Sequence, residues 1–322
     1  MISRNYIYPS INIENFEASF HPDYEKINDE VSQWVIKNNL PVFSNDSKKY
    51  VRENAVTLAC MCYPHGDYDR TCVIAKFIVH LFLLDDIIES KTPNKFYDSL
   101  VNHGNENKDV INALDKCFED QTPLVVAFAE IWGGLKSFTN TTWQTRWAEN
   151  YICYLKVQKW DLNNVMSKRV ASLIEYIEYR HYSGAMDAVF DLIEFSLNIF
   201  LPDRVVGNIT LRRLTFTAAA VVCYVNDIHS FEKEKLLGQV NNLVNVMQHE
   251  YNISAQEAIN KATEFVNKEI EKFFVLEKML PNFEGDIDDN VKKYSNACKH
   301  WMRSNYDWGF KTRRYTVQGY KL

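Results

Sequence analysis

Helical periodicity runs through almost the whole of this chain, and nothing in it alternates like a strand. Apolar residues recur at three- and four-residue steps, as at Ile27, Val31, Trp34 and Val35, and again at Trp143, Trp147, Tyr151 and Tyr154. No segment sustains the period-two run of β-branched residues that marks a sheet. Only 10 Gly and 8 Pro punctuate 322 residues, too few for a chain built from many tight turns. The pattern predicts helices over 23–39, 51–62, 70–88, 110–118, 124–138, 143–161, 170–182, 187–200, 211–234 and 291–308. Another opens at Ser254, where Glu257 three residues on makes a capping-box pattern. Asp67 and Asp69 stand where an N-cap belongs before the 70–88 helix. Breaks fall at Asn45-Asp46-Ser47, at Ser90 to Asn94, in the polar loop 102–108, at Ser183-Gly184, at Gly238 and Asn241-Asn242, and in an acidic loop over 281–290. Length alone allows two domains, but no repeat, linker or composition break divides the chain. The expectation is therefore one all-α domain over 1–322, with 1–20 irregular.

Composition narrows the partners. A net charge of −6 argues against nucleic acid. The seven Cys have no regular pairing pattern, and Cys60 and Cys62 form a C-x-C rather than a C-x-x-C; free thiols in a reducing compartment account for them most simply. The most apolar run, Phe77 to Leu84, is eight residues and too short to span a bilayer, and the first twenty residues carry no signal sequence. A soluble, cytoplasmic protein without membrane insertion is expected. The 14% aromatic content suits a core, or an apolar pocket that must tolerate a cation.

Two polar patches interrupt apolar helices. After the small and apolar run from Phe216 to Val225 come Asn226, Ser230 and Glu234. Four-residue steps place these three on one stripe of a helix, over roughly 12 Å. An amide, a hydroxyl and a carboxylate offer oxygen ligands to a hard cation such as Mg2+, which completes its shell with water and phosphate. A solvated helix face has the same spacing. The second patch is Asp85, Asp86 and Glu89, at the end of the 70–88 helix. Carboxylates at a helix C-terminus oppose the dipole and are costly to bury unpaired, and a cation removes both penalties. Acidic residues fraying into solvent are the alternative.

Together the two patches resemble the metal-binding motifs of class I terpene synthases of the microbial sesquiterpene type. Asp85-Asp86-Ile87-Ile88-Glu89 is similar to the aspartate-rich motif. Asn226 to Glu234 fits N-D-x-x-S-x-x-x-E, including Lys233 before the last acid. Arg180 stands 46 residues before Asn226, the spacing at which the family places its arginine diphosphate sensor. Gly184 matches the family's helix-break residue, and Arg314-Tyr315 its terminal Arg-Tyr pair. The resemblance spans about residues 50 to 320. Two departures stand out: Glu89 where the family has Asp, and Ser183 where microbial members often carry an acid.

The resemblance implies an all-α class I terpenoid-synthase bundle around an apolar pocket. Its activity would be Mg2+-dependent ionisation of a prenyl diphosphate, with release of diphosphate and a terpene product. Three Mg2+ ions are implied, with Mn2+ as a substitute. Asp85, Asp86, Glu89, Asn226, Ser230 and Glu234 would hold metal. Arg180, Lys233, Arg314 and Tyr315 would hold the diphosphate, Arg through its two-pronged fork. Gly184 would face the substrate. Helical projection from the motifs suggests Phe77, Leu81, Val222 and Trp301 as pocket walls, with Trp308 behind them; plain core packing is the alternative for each. Chain size points to farnesyl diphosphate, ahead of geranylgeranyl diphosphate. A chain-elongating prenyl diphosphate synthase is disfavoured by the Asn/Ser/Glu triad, and a non-catalytic helical binding protein by the retained ligands. The resemblance leaves room for a homodimer. Closure of the 90–94 and 241–242 loops and of 313–322 over the bound diphosphate is expected.

Overall fold

The computed structural model describes residues 5–13, 15–40, 54–89 and 122–315, with only the backbone at 87–89. Twelve helices and no strand are present among the described residues. The predicted 110–118 helix, the 102–108 and 90–94 loops and the 45–47 break lie outside them. No described helix is long and apolar enough to cross a membrane. The helices divide between two compact units, each assembled from separate stretches of chain.

One unit comprises 19–159 and 187–200. It holds α1 (Tyr24–Lys37), α2 (Ala55–Cys62), α3 (Tyr68–Glu89), α4 (Pro123–Ser137), most of α5 (Thr141–Ser167) and most of α7 (Met186–Leu197). The carboxylate of Asp67 accepts from the Arg70 amide at 2.9 Å, so it caps α3 as expected. Helix α3 packs against α1, α2 and α4. Its Phe77 and His80 enter an aromatic stack with Phe128 of α4 and Trp147 and Tyr151 of α5. His80 is a core histidine, bonded to the Tyr151 hydroxyl at 2.9 Å and held by burial at a pKa of about 3. Arg146 of α5 pairs with Asp191 and Glu194 of α7, and Arg70 donates to the Phe195 carbonyl and the Asn198 amide oxygen.

The other unit comprises 1–18, 160–186 and 201–322. It holds the end of α5, α6 (Leu173–Ser183), α8 (Asp203–Val206), α9 (Ile209–Leu236), α10 (Leu243–Tyr251), α11 (Ala255–Lys278) and α12 (Gly285–Lys311). Helix α9 lies at its centre, against α6, α10, α11 and α12. Every residue from Thr217 to Val225 is buried, so this stretch has no solvent face, as a central helix requires. Asn208 caps its start, accepting from the Thr210 and Leu211 amides. Helix α12 approaches closely through Gly309, where a Cβ would fall 2.8 Å from the His229 ring. Asn305 of α12 donates to the Val222 carbonyl at 3.0 Å. The capping box at Ser254 and Glu257 is complete.

Part of the expected acidic loop is helix. Residues from Gly285 onward already belong to α12, with Asp286 and Asp288 in its first turn. Carboxylates favour a helix N-terminus, and Asp288 also pairs with Lys292 one turn on. Helices α8 and α10 differ from the expectation; α8 is a single turn of four residues, and α10 is only nine residues long, though it buries Leu243, Val244, Val246 and Met247.

Candidate active site

Helix α9 carries the Asn226, Ser230, Glu234 stripe into its last two turns, as the spacing predicts. Helix α6 crosses beside it and places Arg180 against Asn226 and Asp227. The Arg180 guanidinium donates to Asp227 Oδ1 twice, from Nε at 3.0 Å and from Nη2 at 2.8 Å, and Nη2 also reaches Asn226 Oδ1 at 3.4 Å. One turn earlier on α6, Tyr176 donates its hydroxyl to Asp227 Oδ2. The Leu243 amide donates to the same oxygen at 3.1 Å. Asp227 is 1% exposed, and four donors surround its carboxylate. It lies about 100° around the helix from Asn226, and its carboxylate goes to the arginine.

Burial works against charge on Arg180, but the adjacent Asp227 overrides it and holds the guanidinium above its ordinary range. Burial, reinforced by Asp227, raises the Tyr176 phenol as well. These groups form a buried latch: a fixed cation, fully ionised, beside the first residue of the stripe.

Asn242 closes the other side. Its amide donates to the Asp227 carbonyl at 2.8 Å and to Glu234 Oε2 at 2.9 Å, and its oxygen caps α10. Asn241 is bonded to Asn164 and to the Asp161 carbonyl. The pair expected to close over bound diphosphate is held by these hydrogen bonds in the structure, and Asn242 is 1% exposed. Burial and Asp227 push the Glu234 carboxyl up, while Lys233, Asn242 and Ser230 pull it back.

Gly184 follows α6 with φ −88°, a conformation open to any residue; the left-handed turn is taken by Ala185, at φ 57°. The glycine is required for room. A Cβ there would meet Cys223 Sγ at 2.9 Å and Arg180 Nη1 at 3.0 Å. The C-terminal pair also reaches the site. The Tyr315 hydroxyl accepts from the Asn226 amide, its ring packs on Trp308 with the planes 88° apart, and Arg314 is buried. Residues 316–322 lie outside the described residues.

The donor set suits a hard cation. Asn226 and Ser230 offer neutral oxygens, and Glu234 is a partly buried carboxylate in which Asn242 bonds one oxygen. No cluster of three His, Cys, Asp or Glu occurs among the described residues, but this stripe contains only one residue of those types. In the other unit, Asp85 and Asp86 lie half-buried in the last turn of α3, which has no basic residue to offset them. Glu89 belongs to the same helix, and its side chain is not described. Among the suggested walls, Leu81 keeps exposed surface. Val222 and Trp301 are buried at 4% and 3%, and Phe77, at 0%, is a core residue enclosed by its aromatic neighbours.

Sequence reasoning did not assign Asp227, Tyr176 or Asn242. The i, i+4 spacing of Tyr176 and Arg180 was a legible signal that both face one partner.

An all-helical chain that carries an aspartate-rich helix end and an oxygen-donor stripe latched to a buried arginine belongs to the class I terpenoid-synthase fold. The comparisons agree. The family described as "Terpene synthase family 2, C-terminal metal binding" matches residues 76–272. The 10-epi-cubebol synthase of Sorangium cellulosum is 29% identical over 92% of this chain and 94% of its own length. The 7-epi-alpha-eudesmol synthase ((2E,6E)-farnesyl diphosphate cyclizing) of Streptomyces viridochromogenes is 25% identical over 88% and 85%. The crystal structure of linalool/nerolidol synthase from Streptomyces clavuligerus superposes with a TM-score of 0.81 at 21% identity, covering 93% of this chain and all of that one (100%). The chain belongs to the terpene synthase family, in its microbial class I form.

Proposed function

We propose that this chain is a sesquiterpene synthase. It takes farnesyl diphosphate in the presence of Mg2+, ionises it, and releases diphosphate and a terpene from a single catalytic domain in the cytoplasm. The observation that carries this reading is the latch of Tyr176, Asp227 and Arg180 beside Asn226. It presents a permanent cation next to oxygen donors, as a diphosphate with its counter-ions requires. The farnesyl substrate is supported by relatives whose names print it, the eudesmol synthase and the (+)-T-muurolol synthase of Roseiflexus castenholzii.

In this reading Asn226, Ser230 and Glu234 are metal ligands of their unit, and Asp85, Asp86 and Glu89 are metal ligands of theirs. Bound Mg2+ supplies Lewis-acid stabilisation of the leaving diphosphate. Arg180, Lys233, Arg314 and Tyr315 donate hydrogen bonds to it, and Gly184 gives Arg180 its room. Val222 and Trp301 in one unit, and Leu81 in the other, are proposed as apolar wall residues that keep water from the cation. Diphosphate release from farnesyl and geranylgeranyl diphosphates, with Mg2+ and with chelator, tests the proposal. Release from farnesyl diphosphate that disappears with chelator is expected. Faster release from the C20 substrate would make the protein a diterpene synthase. No release from either would sink the enzymatic reading.

A further inference from the structure

Glu232 lies within the second motif but off its stripe. It is two residues from both Ser230 and Glu234, roughly 200° around the helix, so it faces the opposite side. Its carboxylate is taken by the start of the chain. The Asn5 amide donates to both oxygens at 3.2 Å, Asn5 Nδ2 donates to Oε2 at 2.9 Å, and the Tyr8 hydroxyl donates to Oε1 at 2.9 Å. The Tyr6 ring packs on Phe231, with centroids 5.8 Å apart. The segment is then fastened along the same unit. Ile7 exchanges two hydrogen bonds with Gln256 of α11, the Asn12 amide donates to Asn267 of α11, and the Phe16 carbonyl accepts from Arg303 of α12. Ile11, Ile13 and Phe16 are buried beneath it.

This matters because Ser230 and Glu234 sit in the final two turns of α9, which ends at Leu236. Helix ends fray, and residues 235–238 are exposed. A metal-binding constellation tolerates only about 0.5 Å of play. On the inner side Asn242 holds Glu234. On the outer side the Glu232 contacts with Asn5 and Tyr8, with Tyr6 on Phe231, hold the same turn.

We propose that residues 5–8 are a brace for the metal stripe, and that Glu232 is a positioning residue through which they set the last turns of α9. This rests on the functional reading above for its consequence in catalysis, but not for its structural content. The brace acts on metal affinity rather than on chemistry at saturation.

The test uses the full chain with Glu232→Gln, and separately Asn5→Ala combined with Tyr8→Phe. Amide exchange is followed without metal or substrate, and diphosphate release is titrated with Mg2+. Both variants are expected to show exchange at 231–237 about tenfold faster, with exchange in α11 and α12 unchanged. The Mg2+ concentration for half-maximal release should rise about fivefold, while release at saturating Mg2+ changes less than twofold. Unchanged exchange at 231–237 would overturn the brace. So would exchange that rises equally throughout the unit, which would make the segment ordinary core. An unchanged Mg2+ requirement in an active enzyme would overturn its positioning role. If the wild-type chain releases no diphosphate at all, the functional reading fails, and the exchange data alone decide the brace.

Discussion

Asp227 acts through its hold on Arg180. The pair is buried, with side chains 1% and 14% exposed. Removing one partner of such a pair leaves the other charge unsolvated. Asp227→Asn is therefore expected to lower unfolding free energy by about 3 kcal/mol, read from urea denaturation, and to cut turnover at least tenfold. A change under about 1 kcal/mol would mean that Arg180 is held by other groups. Gly184→Ala tests the same latch by steric pressure. Its methyl would collide with Cys223 and Arg180. Overpacking of this kind costs about 1–3 kcal/mol, and turnover should fall about tenfold with part recovered in the double variant with Cys223→Ala. No recovery would place the defect elsewhere. Arg180 was legible through the family resemblance, which implies an arginine 46 residues before Asn226. The role of Asp227 was not, because its partners arrive from α6 and α10, and periodicity along one helix does not disclose what packs across it.

Helix α7 offers an element-scale test. Asp187 lies in its first turn and Asp191 one turn on, against Arg146, Asn150 and Cys153 of α5. Burial, then the Asp191 charge, pushes the Asp187 carboxyl up to about 7. The folded chain thus keeps a proton that the unfolded chain loses near 3.8, and between those values stability falls as pH rises. Buried His80 and His181 act in the opposite sense. Their folded pKa values of about 3 and about 4 mean that acid favours the unfolded chain below 6.5. Comparing Asp187→Asn with the parent cancels the histidines. The variant's relative stability should rise from pH 4 to 7 and then level off, read from urea midpoints; a constant difference would contradict the assignment. Helix types and caps were legible at this scale, down to the Ser254 capping box. The start of α12 was not, because an acidic run suits a solvated loop and a helix N-terminus equally. Short α10 was hidden for a different reason: its start is set by Asn242, a residue whose bonds go to α9.

At the scale of the molecule, the all-helical class followed from periodicity and scarce Gly and Pro, and the two motifs were visible as polar interruptions of apolar helices. The walls were less legible. A helical projection says which side of α3 Phe77 occupies, but the aromatics of α4 and α5 that enclose it come from elsewhere in the chain. The described residues of the N-terminal segment, expected to be irregular, carry no helix before Tyr24 and are tied to α9, α11 and α12. If both motifs serve one reaction, Asp85→Ala and Asn226→Ala should each lower diphosphate release at least tenfold, about 1.4 kcal/mol of barrier, with little change in thermal midpoint. An active variant at either position would remove that motif from the site. The most direct measurement is gas chromatography–mass spectrometry of products from farnesyl diphosphate, Mg2+ and isopentenyl diphosphate together. A C15 terpene that forms without consuming isopentenyl diphosphate is predicted; a longer prenyl chain, or no product, would contradict the account.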